Sequence, residues 1–202
     1  KRRLLDAGLK ATQIEKTYCI NQRIQAEEDV LKEASMVVTS TKQELIHQYS
    51  EYKFFDSNKA KVISPGVDHE KFHHVHSTTE TSDISNMMNP FLVESSKPPL
   101  LAISRAVRRK NVPSLVEAFG RSEKLKKNCN LVLVLGCREN ISKLDLQQKE
   151  VFQEIFEMID KYNLYGKVAY PKRHLPDQIP AIYRWAACRG GIFVNPALTE
   201  PF

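Results

Sequence analysis

In the stretch AISRAVRRKNVPSLVEAFG, residues 102–120, Arg105, Arg108, Arg109 and Lys110 stand between an aliphatic run and the start of a helical pattern. Such a place suits an anion, because the free N–H groups and the dipole at a helix N-terminus already favour negative charge. Arginine presents a planar fork of donors to phosphate oxygens and lysine a flexible point charge. Arg105 and Lys110, at the two ends of the loop, are therefore the candidates for holding a phosphate or diphosphate, and Arg108 and Arg109 are assigned to solvent. A solvated charge run is the competing reading, and spacing alone does not separate the two.

Whether those cations converge depends on the elements that carry them. Four aliphatic runs, LLAI, LVLVL, KVAY and GIFV, recur at roughly 30 residues, the length of a βαβ unit. Between them Val112, Leu115, Val116 and Phe119 make one helical stripe closed by Gly120, and Val151, Ile155, Ile159 and Tyr162 make another before Gly166. A third helix is expected from Asp177, with Pro180 in its first turn and Ile182, Tyr183 and Ala186 facing inward. Strands apolar on both faces predict a parallel sheet covered by helices. Ligands of such sheets bind outside the carboxyl ends of the strands. Those ends read Ser104-Arg105, Gly136-Cys137-Arg138, Pro171-Lys172-Arg173-His174, and Asn195-Pro196 leading on to Glu200. Cations after the first three strands and an acid after the fourth predict a pocket for a phosphorylated, hydroxyl-bearing ligand.

Upstream, TQIE at residues 12–15 is a capping-box pattern for a helix running to about Ala34, with Ile20, Ile24, Leu31 and Ala34 on one face and Arg23 one turn before Glu27. MVVTS and KVISPGVD read as strands around a helix in TKQELIHQY. Residues 73–97, rich in Ser and Thr and closed by prolines, read as a polar surface insertion or linker between a segment 1–72 and a segment 98–202. His69, His73, His74 and His76 crowd together, but no acid or cysteine is placed to complete a metal site, so a solvated loop is the expectation.

Composition narrows the classes. No apolar run approaches the ~18 residues of a spanning helix and no signal-peptide pattern opens the chain, so neither a membrane protein nor a secreted one is expected. Cys19, Cys129, Cys137 and Cys188 form no C-x-x-C pair and read as free, buried thiols of a reducing, cytoplasmic protein. The net charge of +6 is spread among 24 acids, and without aromatic RNA-binding signatures it does not indicate a nucleic-acid partner. Neither G-x-x-x-x-G-K-[ST] nor G-x-G-x-x-G nor G-x-S-x-G occurs where P-loop, dinucleotide or nucleophile-elbow chemistry needs it.

AISRAVRRKN with LVEAFG, then DKYNLYGKVAYPKRH, then IPAIYRWAACRGGIFVNPALTEPF, together resemble the sucrose-phosphate synthase family of retaining glycosyltransferases; RIQAEE, VVTSTKQE and VISPGVD follow the same family's order upstream. The resemblance covers nearly all of the chain except residues 73–97. It implies an α/β fold of the GT-B type, two Rossmann-like parallel-sheet domains each partly present here: the end of an acceptor domain in 1–72 and the first half of a donor domain in 98–202. The implied reaction transfers glucose from UDP-glucose to fructose 6-phosphate, both small-molecule substrates, with no metal and no cofactor. Arg105 and Lys110 would hold the donor diphosphate and Glu200 the glucose hydroxyls, with Ser104, Gly136 and Lys172 also lining the donor site. Arg23 and Lys42 are the acceptor candidates. The family's motif is departed from at Ala106-Val107-Arg108-Arg109, which stands where Pro-Asp-Pro-Lys is usual, so a looser loop is expected. An internal piece of a longer enzyme is expected, inactive by itself. Sucrose synthase, another retaining GT-B enzyme, or a non-catalytic GT-B-like module are the alternatives.

Overall fold

In the computed structural model, which describes residues 2–6, 8–73 and 81–200, the four aliphatic runs become β3 (Pro99–Ile103), β4 (Asn130–Val134), β5 (Val168–Ala169) and β6 (Ile192–Phe193). They pair in the order β5-β4-β3-β6, and every pairing is parallel, with Leu101 registered between Val132 and Phe193. Side chains of successive strand residues point to opposite faces. Leu100, Ala102, Leu131, Leu133 and Val168 thus meet Val112, Val116 and Phe119 of α6 (Val112–Arg121) and Val151, Ile155 and Ile159 of α8 (Leu146–Lys161). Leu101, Val132, Val134 and Ala169 meet the opposite layer, α5 (Ser82–Met88) and α9 (Gln178–Cys188), through Ile84, Met88, Ile182, Trp185 and Ala186. Each large apolar side chain buried this way contributes about 1.5–3 kcal/mol, so the two layers hold the sheet from both sides.

Local signals set the helix ends with some surprises. The short α7 (Glu123–Asn128), which leads from α6 to β4, starts at Ser122, whose hydroxyl accepts from the Leu125 amide at 3.3 Å. Asp145 caps α8 by accepting from the Gln148 amide at 2.8 Å. Asp177 occupies the cap position of α9, yet its side chain makes no capping bond. Gly120 does not close α6: it lies inside the helix, where a Cβ would sit 2.5 Å from the Tyr162 ring. It is a close-approach glycine that lets α6 press on the end of α8.

The expected polar insertion over 73–97 is corrected in its second half. Ile84 and Met88 of α5 and Leu92 are buried in the core against the sheet, and the Val93 amide donates to the Gly166 carbonyl at 2.9 Å. Alternating apolar residues among Ser and Asn make this a covering layer. His74 and His76 lie outside the described residues.

The chain divides into two compact units, Lys1–Gly66 and Val67–Glu200. The first holds α1 (Arg2–Asp6), α2 (Ala11–Tyr18), α3 (Ile20–Glu33), β1 (Val37–Thr39), α4 (Lys42–His47) and β2 (Ala60–Val62), with β1 and β2 parallel. The single helix expected from Thr12 to Ala34 is broken, because Cys19 takes a left-handed φ of 49° between α2 and α3. The start is set earlier, at Lys10, whose amide donates to Gln13. A capping box does open α4, where Glu44 accepts from the Thr41 amide and Thr41 accepts from the Glu44 amide. The cysteines are free as expected but not buried: Cys19 and Cys137 are exposed and the other two half-buried. No described helix is long and apolar enough to cross a membrane.

Candidate functional site

The strand order creates one place where the chain reverses. From β3 it steps outward through α6 to β4 and through α8 to β5, and then α9, on the opposite face, returns it to β6 on the far side of β3. Ligands of such sheets bind at the switch point, outside the carboxyl ends of its two neighbouring strands. The segments bordering it are 104–111, after β3, and 194–200, after β6.

After β3, the Ser104 amide continues the ladder to the Val134 carbonyl at 3.0 Å and its hydroxyl donates to the Arg105 carbonyl at 3.2 Å. Ala106 is buried and anchors the loop. Arg108, Arg109 and Lys110 then form a 3-10 turn, and Asn111 leads into α6 with a left-handed φ of 53°. The departure from the family motif therefore yields a folded turn rather than a loose loop. Arg108 is not merely solvated: it spans to Glu150 and Glu154 of α8. Arg105 is exposed, and among the described residues its side chain has no hydrogen-bond or ion-pair partner.

Lys110 and Glu200 meet in an ion pair, their side chains 19% and 23% exposed. Asn195 donates to the same Glu200 oxygen at 3.3 Å. The Lys110 hydrogen bond above all, with that from Asn195 and the charges of Lys110 and Arg109, holds the Glu200 carboxyl below the usual carboxylate range against the opposing effect of desolvation. Asn111 donates to the Pro196 carbonyl at 3.2 Å, and the Leu198 amide donates to the Arg109 carbonyl at 3.0 Å. Residues separated by 90 positions are thereby fixed together at the end of the loop that begins with Arg105. The arrangement offers cations toward an anion and a carboxylate toward hydroxyl groups.

The β4 and β5 ends differ. Gly136 turns the chain with φ of 84° and open space around it. Arg138, counted from sequence among the ligand-facing cations, is 6% exposed. It donates to the Pro171 and Tyr170 carbonyls at 3.0 and 2.9 Å and stacks over Phe152, 4.9 Å from the ring centre, while desolvation pulls its pKa down. Arg138 therefore ties the β5 end to α8 and is removed from the ligand-facing set. Arg173 pairs with Glu139. Lys172 is exposed and lines a cavity of about 430 Å³ with Arg138, Asn140 and Phe156. The His174 imidazole, whose Nδ1 is buried without a partner among the described residues, has its pKa lowered by burial.

Arg23 and Lys42 lie in the other unit, on α3 and at the start of α4, both exposed. The Arg23–Glu27 pair expected from spacing is absent among the described residues, since Glu27 accepts from the Tyr52 hydroxyl instead. Sequence reasoning missed Asn111 and Asn195. An asparagine between a basic turn and a helix start, and one before a proline after a strand, were the available signals. No group of three or more described His, Cys, Asp or Glu residues is placed to hold a metal ion.

No family model matches the chain. It is 36% identical over 94% of its length to sucrose-phosphate synthase 4 of Arabidopsis thaliana, and 36% identical over 98% to a probable sucrose-phosphate synthase of Solanum tuberosum. The chain spans about 22% of the length of each. Among solved structures it is similar to sucrose-phosphate synthase of Thermosynechococcus elongatus, with a TM-score of 0.63 and 21% identity over 90% of this chain and 40% of that one. Anabaena HepE, solved in complex with UDP and glucose, gives a TM-score of 0.58 at 15% identity over 81% of this chain and 39% of that one. These likenesses show the GT-B fold.

Proposed function

We propose that this chain, a homologue of one stretch of the sucrose-phosphate synthases over nearly its whole length, carries donor-site and acceptor-site residues of a retaining glycosyltransferase. The reaction is transfer of glucose from UDP-glucose to fructose 6-phosphate, giving sucrose 6-phosphate and UDP, in the cytoplasm and toward sucrose biosynthesis. The observation that carries this reading is the switch point between the β3 and β6 ends, where the loop that holds the unpartnered Arg105 also supplies Lys110 to the ion pair with Glu200.

When the bond from the anomeric carbon to the diphosphate oxygen breaks, its electron pair leaves on UDP. Arg105 and Lys110 stabilise that growing charge, which is a transition-state interaction and so raises turnover. Because these cations meet the charge, the reading requires no metal. Glu200, ionised and held in place, accepts hydrogen bonds from the glucose hydroxyls. Ser104 and Gly136 border the donor nucleotide and Lys172 contributes charge from the β5 side. Arg23 and Lys42 supply cations for the acceptor phosphate. Support also comes from a relative in fold, HepE, which was solved with UDP and glucose bound.

The test uses the protein that carries this chain, supplied with UDP-glucose and either fructose 6-phosphate or free fructose. Formation of sucrose 6-phosphate with retained anomeric configuration, lost in Arg105→Ala, is the expected result. Preference for free fructose would indicate a sucrose synthase, and absence of both transfer and UDP binding would indicate a non-catalytic module.

A further inference from the structure

Segment 195–200 makes no helix and pairs with no strand, yet the proposed site needs the Glu200 carboxylate at a fixed distance from Arg105 and Lys110. Backbone with so little regular structure is held by the individual bonds it makes. Asn111 supplies one that reaches across the switch point: its Nδ2 donates to the Pro196 carbonyl at 3.2 Å, 85 positions away. Its Oδ1 accepts from the Ser114 hydroxyl at 2.7 Å, which fixes the amide plane so that the NH2 group faces Pro196. The left-handed φ of 53° places this side chain between the 3-10 turn and α6. Asparagine is among the few residues other than glycine that adopt that conformation readily. The Leu198–Arg109 backbone bond and the Lys110–Glu200 pair complete the fastening on either side.

We infer that Asn111 is a positioning residue for the transfer reaction, clamping the Pro196 carbonyl so that Glu200 is held against the Lys110 turn. The inference rests on the glycosyltransferase reading. Its energetic form is a coupling: if Asn111 acts through Glu200, removing either one removes part of what the other contributes, and the two substitutions are not additive. Asn111 lies outside the diphosphate contacts, so its loss acts on turnover more than on nucleotide binding.

The experiment uses Asn111→Gly in the protein that carries this chain, because glycine keeps the left-handed conformation while deleting the clamp. Asn111→Asp keeps the size but turns an oxygen toward the Pro196 carbonyl. Three quantities are read: kcat with UDP-glucose, the dissociation constant of UDP by calorimetry, and the thermal midpoint. Expected are a fall in kcat of at least tenfold for both variants, UDP affinity within twofold of wild type, and a Glu200→Ala effect at least threefold smaller in the Asn111→Gly background. Normal kcat in Asn111→Gly, or an Asn111→Gly effect that simply multiplies with that of Glu200→Ala, would overturn the inference. Wild type that binds no UDP and transfers no sugar would instead overturn the glycosyltransferase reading, which separates the two failures.

Discussion

The carboxyl ends of β3 and β6 and those of β4 and β5 both gather cations, and the molecule uses them in different ways. At β4 and β5 Arg138 is buried against two backbone carbonyls and an aromatic ring, and Arg173 is paired with Glu139. At β3 and β6 Arg105 has no side-chain partner among the described residues, and Lys110 is paired only to an acid that comes from the other side of the switch point. A buried guanidinium at a strand end that is filled by backbone carbonyls is therefore no ligand group, whereas one without a partner keeps its donors for a ligand. A guanidinium taken from water needs its donors filled, and once carbonyls fill them it is part of the scaffold.

Substitutions sharpen this contrast. The largest effect is expected at the switch point, where Arg105→Ala and Lys110→Ala should each lower turnover about 100- to 1,000-fold, the range for losing one charge-assisted donor to a developing anion. Thermal midpoints should barely move for Arg105→Ala. At the other edge Arg138→Ala should act on stability, costing about 2–4 kcal/mol in chemical denaturation, because two carbonyls lose a charged donor in a buried place. Equal losses of turnover from Arg105→Ala and Arg138→Ala, at equal stability, would break the comparison. Gly136→Ala should cost about 1–2 kcal/mol through its left-handed conformation alone, since nothing crowds the added methyl group. Arg173→Ala should change stability by less than about 1 kcal/mol, as exposed pairs do.

The smallest effect expected is in the acid response of the Lys110–Glu200 pair. The folded carboxyl titrates below the range of an unperturbed glutamate. Its contribution is therefore present above the unfolded value and is lost as pH falls through the lower folded value. An NMR titration of the Glu200 carboxyl should give a midpoint below that of an ordinary glutamate in wild type and one nearer to it in Lys110→Ala.

How much of this was legible follows from the same contrast. The sheet and its flanking helices were readable, because LVLVL or the Val112–Val116–Phe119 stripe has one low-energy way to hide from water. The positions of Arg105, Lys110 and Glu200 followed from where those strands end. The fate of Arg138 was not readable, because the sequence does not say that Tyr170 and Pro171 carbonyls lie within its reach. Composition misleads at residues 81–97, where Ile84 and Met88, four apart, outweigh the serines around them. Gly120 reads as a stop because a glycine after a stripe usually is one; only the approach of Tyr162 gives it another purpose. Asn111 carries no such signal, since its partner is 85 positions away.

The donor diphosphate is assigned to the β3–β6 switch point and not to the β4–β5 edge. Calorimetric titration of UDP into the protein that carries this chain tests that assignment most directly, with wild type, Arg105→Ala and Arg173→Ala compared at one ionic strength. UDP affinity is expected to be at least tenfold weaker in Arg105→Ala and within twofold of wild type in Arg173→Ala. Unchanged affinity in Arg105→Ala, or the greater loss in Arg173→Ala, would contradict it.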